Sequence, residues 1–111
     1  MAQNDIIRKP LLTASAIDKF VKRVEIKEIN FKPGQQTGLH LHPCPVTGYI
    51  AEGNCTFQVK GQPVQNLKAG DAFYEPANTH IEHFDNASAT EPMKFIAFYL
   101  MGDESELIKM L

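Results

Sequence analysis

Apolar and polar residues alternate along this chain in short stretches, and glycine or proline interrupts each stretch within a few residues. The clearest case is Cys55, Phe57 and Val59, interleaved with Thr56, Gln58 and Lys60. A period of two puts each set of side chains on its own face of a strand. Leu39-His40-Leu41-His42 follows the same rule. Residues 48–51, 64–67, 72–75 and 80–84 read as further short strands. Turns are expected at Pro33-Gly34, Gly61 and Ala69-Gly70-Asp71, a hairpin turn at Glu52-Gly53-Asn54, and a stop at Pro76. Val24, Ile26, Ile29 and Phe31 form a β-like stretch whose parity shifts once, which predicts a bulge. The apolar run from Lys94 to Met101 predicts a strand buried on both faces. Residues 103–111 are read either as one helical turn or as a last edge strand. Short strands with turns about every 8–12 residues argue for an all-β sandwich or barrel. No segment carries the helical period that a parallel βαβ sheet needs.

A length of 111 residues predicts one domain. The first 22 residues are the least committed: Thr13 or Ser15 could cap a short helix through Phe20, and a loose arm fits them equally. The expected organisation is an arm over 1–22 and a barrel over 23–111. With 43% apolar residues the chain can build one core without disulfide or metal staples. Its 11 basic and 13 acidic residues leave a net charge of −2, with no like-charge run longer than two. That balance lacks the basic footprint of a nucleic-acid protein and the polybasic patch of a membrane-surface protein. The longest apolar run, residues 95–101, is far short of the roughly 20 residues of a bilayer span. Asp5, Arg8, Lys9, Asp18 and Lys19 break any signal-like stretch, so a cytoplasmic location is expected. Cys44 and Cys55 form no paired-cysteine zinc pattern, and two free thiols are expected.

The four histidines carry the chemistry. On a strand, His40 and His42 share a face and lie roughly 6.7 Å apart along the backbone. Two imidazoles on that spacing can converge on one ion through bonds near ~2.0–2.1 Å, whereas on a helix they would splay apart. The alternative is a pair of ordinary polar residues on a solvated face. His80 follows the turn at residues 76–79 and begins a strand that a barrel could bring beside the pair. His83, three residues on, should face the other way unless a bulge intervenes. Five aromatics, Tyr49, Phe57, Phe73, Phe95 and Phe98, are read as inward-facing core.

Together these residues resemble the cupin family. Gly38, His40, His42 and the later Gly53 are similar to its first motif, and Gly70, Pro76 and His80 to its second. The resemblance spans roughly residues 31–100. It implies a jelly-roll barrel, a double-stranded β-helix, that holds a divalent transition metal: Fe, Mn, Ni, Cu or Zn. The family's ligands are two histidines and an acid from the first motif and a histidine from the second, which implies His40, His42 and His80 here. The acid is missing, because Val46 and Thr47 stand where it should fall. The second motif also departs from pattern: Asn78 replaces a glycine, His80 comes one residue early, and Phe84 replaces an asparagine. Glu75, last in its strand before Pro76, is the candidate to supply the absent carboxylate, as ligand or as catalytic general base. Cys44 shares the parity of His40 and His42 and is a weaker candidate.

The resemblance implies action on a small organic molecule, with a quercetinase-like dioxygenase, an isomerase or a decarboxylase as options. The alternatives are a non-catalytic module that binds or senses a small ligand, and an empty barrel. Cupins of this size pair as homodimers by exchanging N-terminal strands, which here would be residues 23–31.

Overall fold

The computed structural model describes residues 6–15 and 19–111. The short helix considered through Phe20 runs across residues 16–18, outside the described residues; residues 6–15 and 19–22 carry no regular structure. Nine strands follow: β1 (Arg23–Phe31), β2 (His40–Leu41), β3 (Val46–Glu52), β4 (Asn54–Val59), β5 (Gln65–Lys68), β6 (Ala72–Glu75), β7 (Ile81–Asn86), β8 (Met93–Met101) and β9 (Lys109–Met110). They form a four-stranded sheet in the order β1-β8-β3-β6 and a five-stranded sheet in the order β5-β4-β7-β2-β9. Every pairing is antiparallel. The chain passes from one sheet to the other at each connection except β4–β5, as in a jelly roll. No helix among the described residues is long and apolar enough to cross a membrane.

Alternation explains the strands and also corrects three details of the sequence reading. On β8, Met93, Phe95, Ala97, Tyr99 and Met101 are buried, while Lys94, Ile96, Phe98 and Leu100 are only half-buried. The apolar run therefore has one face in the core and the other on the outside of the four-stranded sheet. β1 pairs with β8 over nine consecutive residues without a bulge. Its parity shift arises because Val24 and Ile26 face outward while Ile29 and Phe31 face the core. Glu52-Gly53-Asn54 is not a hairpin turn, because β3 and β4 belong to different sheets. Gly53 turns the chain across the barrel with φ 85°, and a side chain there would meet the Pro92 carbonyl.

Phe57, Phe73, Phe84 and Phe95 fill the interior, with ring centroids 4.5–6.0 Å apart. Edge and tilted geometries of this kind add to the stabilisation from burial. Tyr49 and Phe98, expected among them, face outward: they sit in register with Ile96 and Ile26 on the outer side of the sheet. Cys44 and Cys55 are buried free thiols, and burial pushes the Cys55 thiol up to about 12. The C-terminal residues form the edge strand, β9, paired with His40 and Leu41 of β2.

Gly48 lies at the centre of the four-stranded sheet, between Phe73 of β6 and Ala97 of β8. A Cβ at this position would overlap the Ile96 carbonyl, which is backbone and cannot swing aside. Overpacking a core position costs about 1–3 kcal/mol or more. Gly48→Ala should therefore lower unfolding stability by about 3 kcal/mol, read as a lower urea midpoint with an unchanged slope.

Candidate metal centre

Two strands and the residue just after one of them deliver three donor groups to one point inside the barrel. β2 carries His40 and ends one residue before His42, and Glu75 closes β6 just before Pro76. One donor atom from each of His40, His42 and Glu75 lies within 4.8 Å of the others. All three residues are buried, at 2%, 5% and 3% exposure. Glu75 Oε2 lies 3.4 Å from His40 Nε2 and 3.5 Å from His42 Nε2.

The outer nitrogens are already committed. His40 Nδ1 donates to the Gly38 carbonyl at 2.7 Å, and His42 Nδ1 donates to the Leu107 carbonyl at 2.6 Å. A carbonyl can only accept, so both protons sit on Nδ1 in the neutral rings, and both Nε2 lone pairs face the carboxylate. Fixing the tautomer through the second nitrogen is the usual way a protein prepares a histidine for a metal. Glu75 Oε2 is buried and has no hydrogen-bond partner. An orphaned buried carboxylate oxygen beside two imidazole lone pairs calls for a cation between them. The spacing suits one: donors about 2.1 Å from a common ion lie about 3.0 Å apart at right angles and about 3.4 Å apart at the tetrahedral angle. The residues present thus fit a divalent transition metal.

Glu75 occupies the place of the missing acid by a change of strand. It is the direct cross-strand partner of Val46 in the β3–β6 ladder. The first-motif acid expected at Val46 or Thr47 is therefore replaced by a carboxylate on the neighbouring strand, aimed into the same space.

His80 is not brought into this group. The residue in register with His40 is Ile81, which is fully buried. His80 lies just before β7, partly buried, and its carbonyl accepts from the Lys60 amide. Glu82 is the extra residue of a bulge: Gln58 pairs with His83 while Val59 pairs with Ile81. The bulge turns both Ile81 and Phe84 inward although they are three apart. His83 faces out, with Nδ1 2.9 Å from Asp85 Oδ2. Asn78 adopts φ 55°, a left-handed conformation that glycine and asparagine both tolerate, and its amide donates to the His42 carbonyl. Cys44 is buried in the core and does not join the donor group among the described residues.

Beside the three donors lies a cavity of about 180 Å³, walled by Ile29, Phe31, Phe84, Phe95, Ala97 and Ile108. Tyr99 also lines it, with its ring edge-on to His42 at 5.9 Å. Burial and the nearby Glu75 charge push the Tyr99 phenol up to about 12, so its hydroxyl keeps its proton at neutral pH. This cavity, the C-terminal segment that joins its wall through Ile108, and the β3–β6 pairing were not visible in the one-dimensional pattern.

The residues and their order match a known family. The cupin domain family matches residues 27–99. The chain belongs to the cupin family. No curated protein matches this cupin in sequence. Solved structures do match it in fold. A cupin-like protein from Thermotoga maritima is 25% identical with a TM-score of 0.66, covering 79% of this chain and 64% of that one. A DMSP lyase from Ruegeria pomeroyi is 20% identical with a TM-score of 0.67, covering 78% and 42%. An oxalate decarboxylase from Bacillus subtilis is 22% identical with a TM-score of 0.68, covering 79% and 24%. This cupin thus spans less than two thirds of the length of each of these structures.

Burial opposes charge on Glu75, but in metal-free protein an imidazolium form of the two histidines, with a proton on Nε2, would donate to the carboxylate, and the hydrogen bonds and charges of His40 and His42 then outweigh burial and hold the carboxyl below its ordinary 4.5. Burial likewise opposes charge on His42, but Glu75 and the Leu107 carbonyl outweigh it and raise the imidazole above its ordinary 6.5. In metal-free protein the Glu75 contribution is present above pH 4.5 and is lost as pH falls through the depressed value. The His42 contribution is complete below pH 6.5 and is lost as pH rises through the raised value. Urea unfolding of metal-free wild type and Glu75→Gln across pH should show the difference most favourable to wild type between pH 4.5 and 6.5 and shrinking on both sides.

Proposed function

We propose that this cupin binds one divalent transition metal on His40, His42 and Glu75 and acts on a small organic molecule in the adjoining cavity. The observation that carries the reading is the unpartnered Glu75 Oε2, buried between two imidazoles whose Nδ1 protons are held elsewhere. The candidates remain Fe, Mn, Ni, Cu and Zn, because imidazole and carboxylate donors suit all of them. When bound, the metal supplies Lewis-acid or redox chemistry to substrate oxygens at its open positions.

The chain's own residues do the rest. Gly38 and Leu107 hold the two imidazoles in one tautomer through their carbonyls. The phenylalanines and Ile108 give the cavity an apolar wall. Tyr99 Oη offers a proton or a hydrogen bond to a substrate oxygen. Glu75 serves as a ligand in this reading rather than as a free general base, since Oε2 faces both Nε2 atoms. Among the fold neighbours, an oxalate oxidase, an oxalate decarboxylase and DMSP lyases are all named for small substrates. The cavity of about 180 Å³ is below the roughly 300–1,000 Å³ of sites for drug-sized ligands, which favours a small molecule over a flavonol.

Metal titration of the purified, chelator-stripped chain should give one equivalent bound. Glu75→Gln and the His40→Ala/His42→Ala pair should each lose at least about 100-fold in affinity, and His80→Ala should bind as wild type does. Full binding by the double variant would end this reading. Metal uptake without turnover of any small oxygen-bearing substrate would shift it to a non-catalytic binding module.

The same reading includes a homodimer. The outer face of the four-stranded sheet presents Val24, Ile26, Tyr49, Phe98 and Leu100, with Ile26 62% exposed. Glu28, Asn30 and the Lys94–Glu52 ion pair border one end of it. An apolar centre with a polar rim is the anatomy of a protein interface. This exposed face supports face-to-face packing of two copies, alongside exchange of the strand at residues 23–31. Light scattering should give about twice the 12.4 kDa chain mass, and Ile26→Glu should give a folded monomer. A wild-type monomer at micromolar concentration would refute it.

A further inference from the structure

The walls of the cavity beside His40, His42 and Glu75 restrict what can enter it. Resting on the metal-binding reading above, we infer that the substrate is a molecule with an oxygen-bearing head and a compact apolar body, bearing at most one negative charge.

Three observations carry this. The first is the wall. Ile29, Phe31, Phe84, Phe95, Ala97 and Ile108 present only hydrocarbon to the interior. A body seated there gains by leaving water, about 25 cal/mol per Å² of apolar surface. The second is charge. Among the described residues, no lysine or arginine lines the cavity, and its one carboxylate is Glu75. One anionic oxygen pair could be neutralised at the donor group, but a second carboxylate would lie against phenylalanine and isoleucine with no counter-charge. Burying such a group unpaired is strongly unfavourable. The third is size. About 180 Å³ is below the range of sites for drug-sized ligands and suits a short branched chain better than a fused ring system. Two hydroxyls lie on the wall: that of Thr37 is committed to the Phe84 carbonyl at 2.7 Å, which leaves Tyr99 as the donor suited to a substrate oxygen.

Two residues set this selectivity without touching the donors. Ala97 is the small inward residue of β8, and its methyl leaves the room that a larger side chain would fill. Ile108 comes from the C-terminal segment beside Leu107, whose carbonyl holds His42. It is 42% exposed, so it stands at the rim, where a charge is tolerated. A specificity change can therefore be made there without disturbing the core.

The test uses the full chain loaded with Co(II), whose visible absorption reports ligand entry independently of turnover. Two probes share the same vicinal oxygen head: 3-methyl-2-oxobutanoate, a monoanion with a branched apolar body, and oxalate, a dianion without one. The first should bind at least tenfold tighter than oxalate. Ile108→Lys, which places a cation at the rim, should remove that preference by tightening oxalate. Ala97→Leu should weaken 3-methyl-2-oxobutanoate while Co(II) stays bound. Oxalate binding as tightly as the branched acid, or neither probe changing the spectrum of Co(II)-loaded protein, overturns the inference and leaves the metal reading intact. A chain that takes up no Co(II) overturns both.

Discussion

A carboxylate buried between two imidazoles, with both imidazole Nδ1 atoms already bonded to backbone carbonyls, is the polar constraint around which the interior of this barrel is arranged. Glu75 Oε2 is that group, without a hydrogen-bond partner and 3.4–3.5 Å from each Nε2. The surrounding structure serves this point. Two backbone carbonyls from different parts of the chain, Gly38 beside β2 and Leu107 near the C-terminus, hold the rings in place. The aromatic cluster of Phe57, Phe73, Phe84 and Phe95 fills the interior and excludes water from one side. Low polarity strengthens any charge interaction at the donors and makes an unpaired charge expensive.

The architecture makes this convergence available at low cost. Sheet crossings at almost every connection bring β2 and β6, far apart in the chain, to opposite walls of one interior. Short strands then aim alternate side chains inward, and the ends of β2 and β6 place their last polar residues beside one another. The C-terminal segment completes the enclosure: β9 pairs with β2, Ile108 joins the cavity wall, and Leu107 anchors His42. The site is therefore assembled from both sheets and from the last residues of the described chain, although only the two histidines are neighbours in sequence.

Much of this was legible from periodicity. The alternation at Cys55, Phe57 and Val59 predicts the strand that forms, and the same rule places His40 and His42 on one face. Failures of the one-dimensional reading trace to two-dimensional causes. A parity shift in β1 reads as a bulge, but the strand is continuous and simply carries apolar residues on both faces, one set for the core and one for the outer surface. Register shifts lie instead at Glu82 in β7 and between Ile50 and Glu52 in β3, the first marked locally only by the odd spacing of Ile81 and Phe84. The shift in β7 puts Ile81 opposite His40 and leaves His80 outside the donor group. Tyr49 and Phe98 look like core aromatics because apolar residues flank them on both parities of their strands; sheet pairing turns them outward.

Side-chain period is a property of neighbouring residues, so the all-β class, the turn positions and the histidine pair could be read directly from residue order. Cross-strand partnership is not such a property, since it depends on which strands pair and in what register. That is why the carboxylate beside the histidines is Glu75, the ladder partner of Val46, and why the donor set is two imidazoles and a carboxylate instead of three imidazoles. The cavity has the same origin: its wall combines β1, β7, β8 and the C-terminal segment, a grouping that exists only once hydrophobic burial has closed the two sheets on each other.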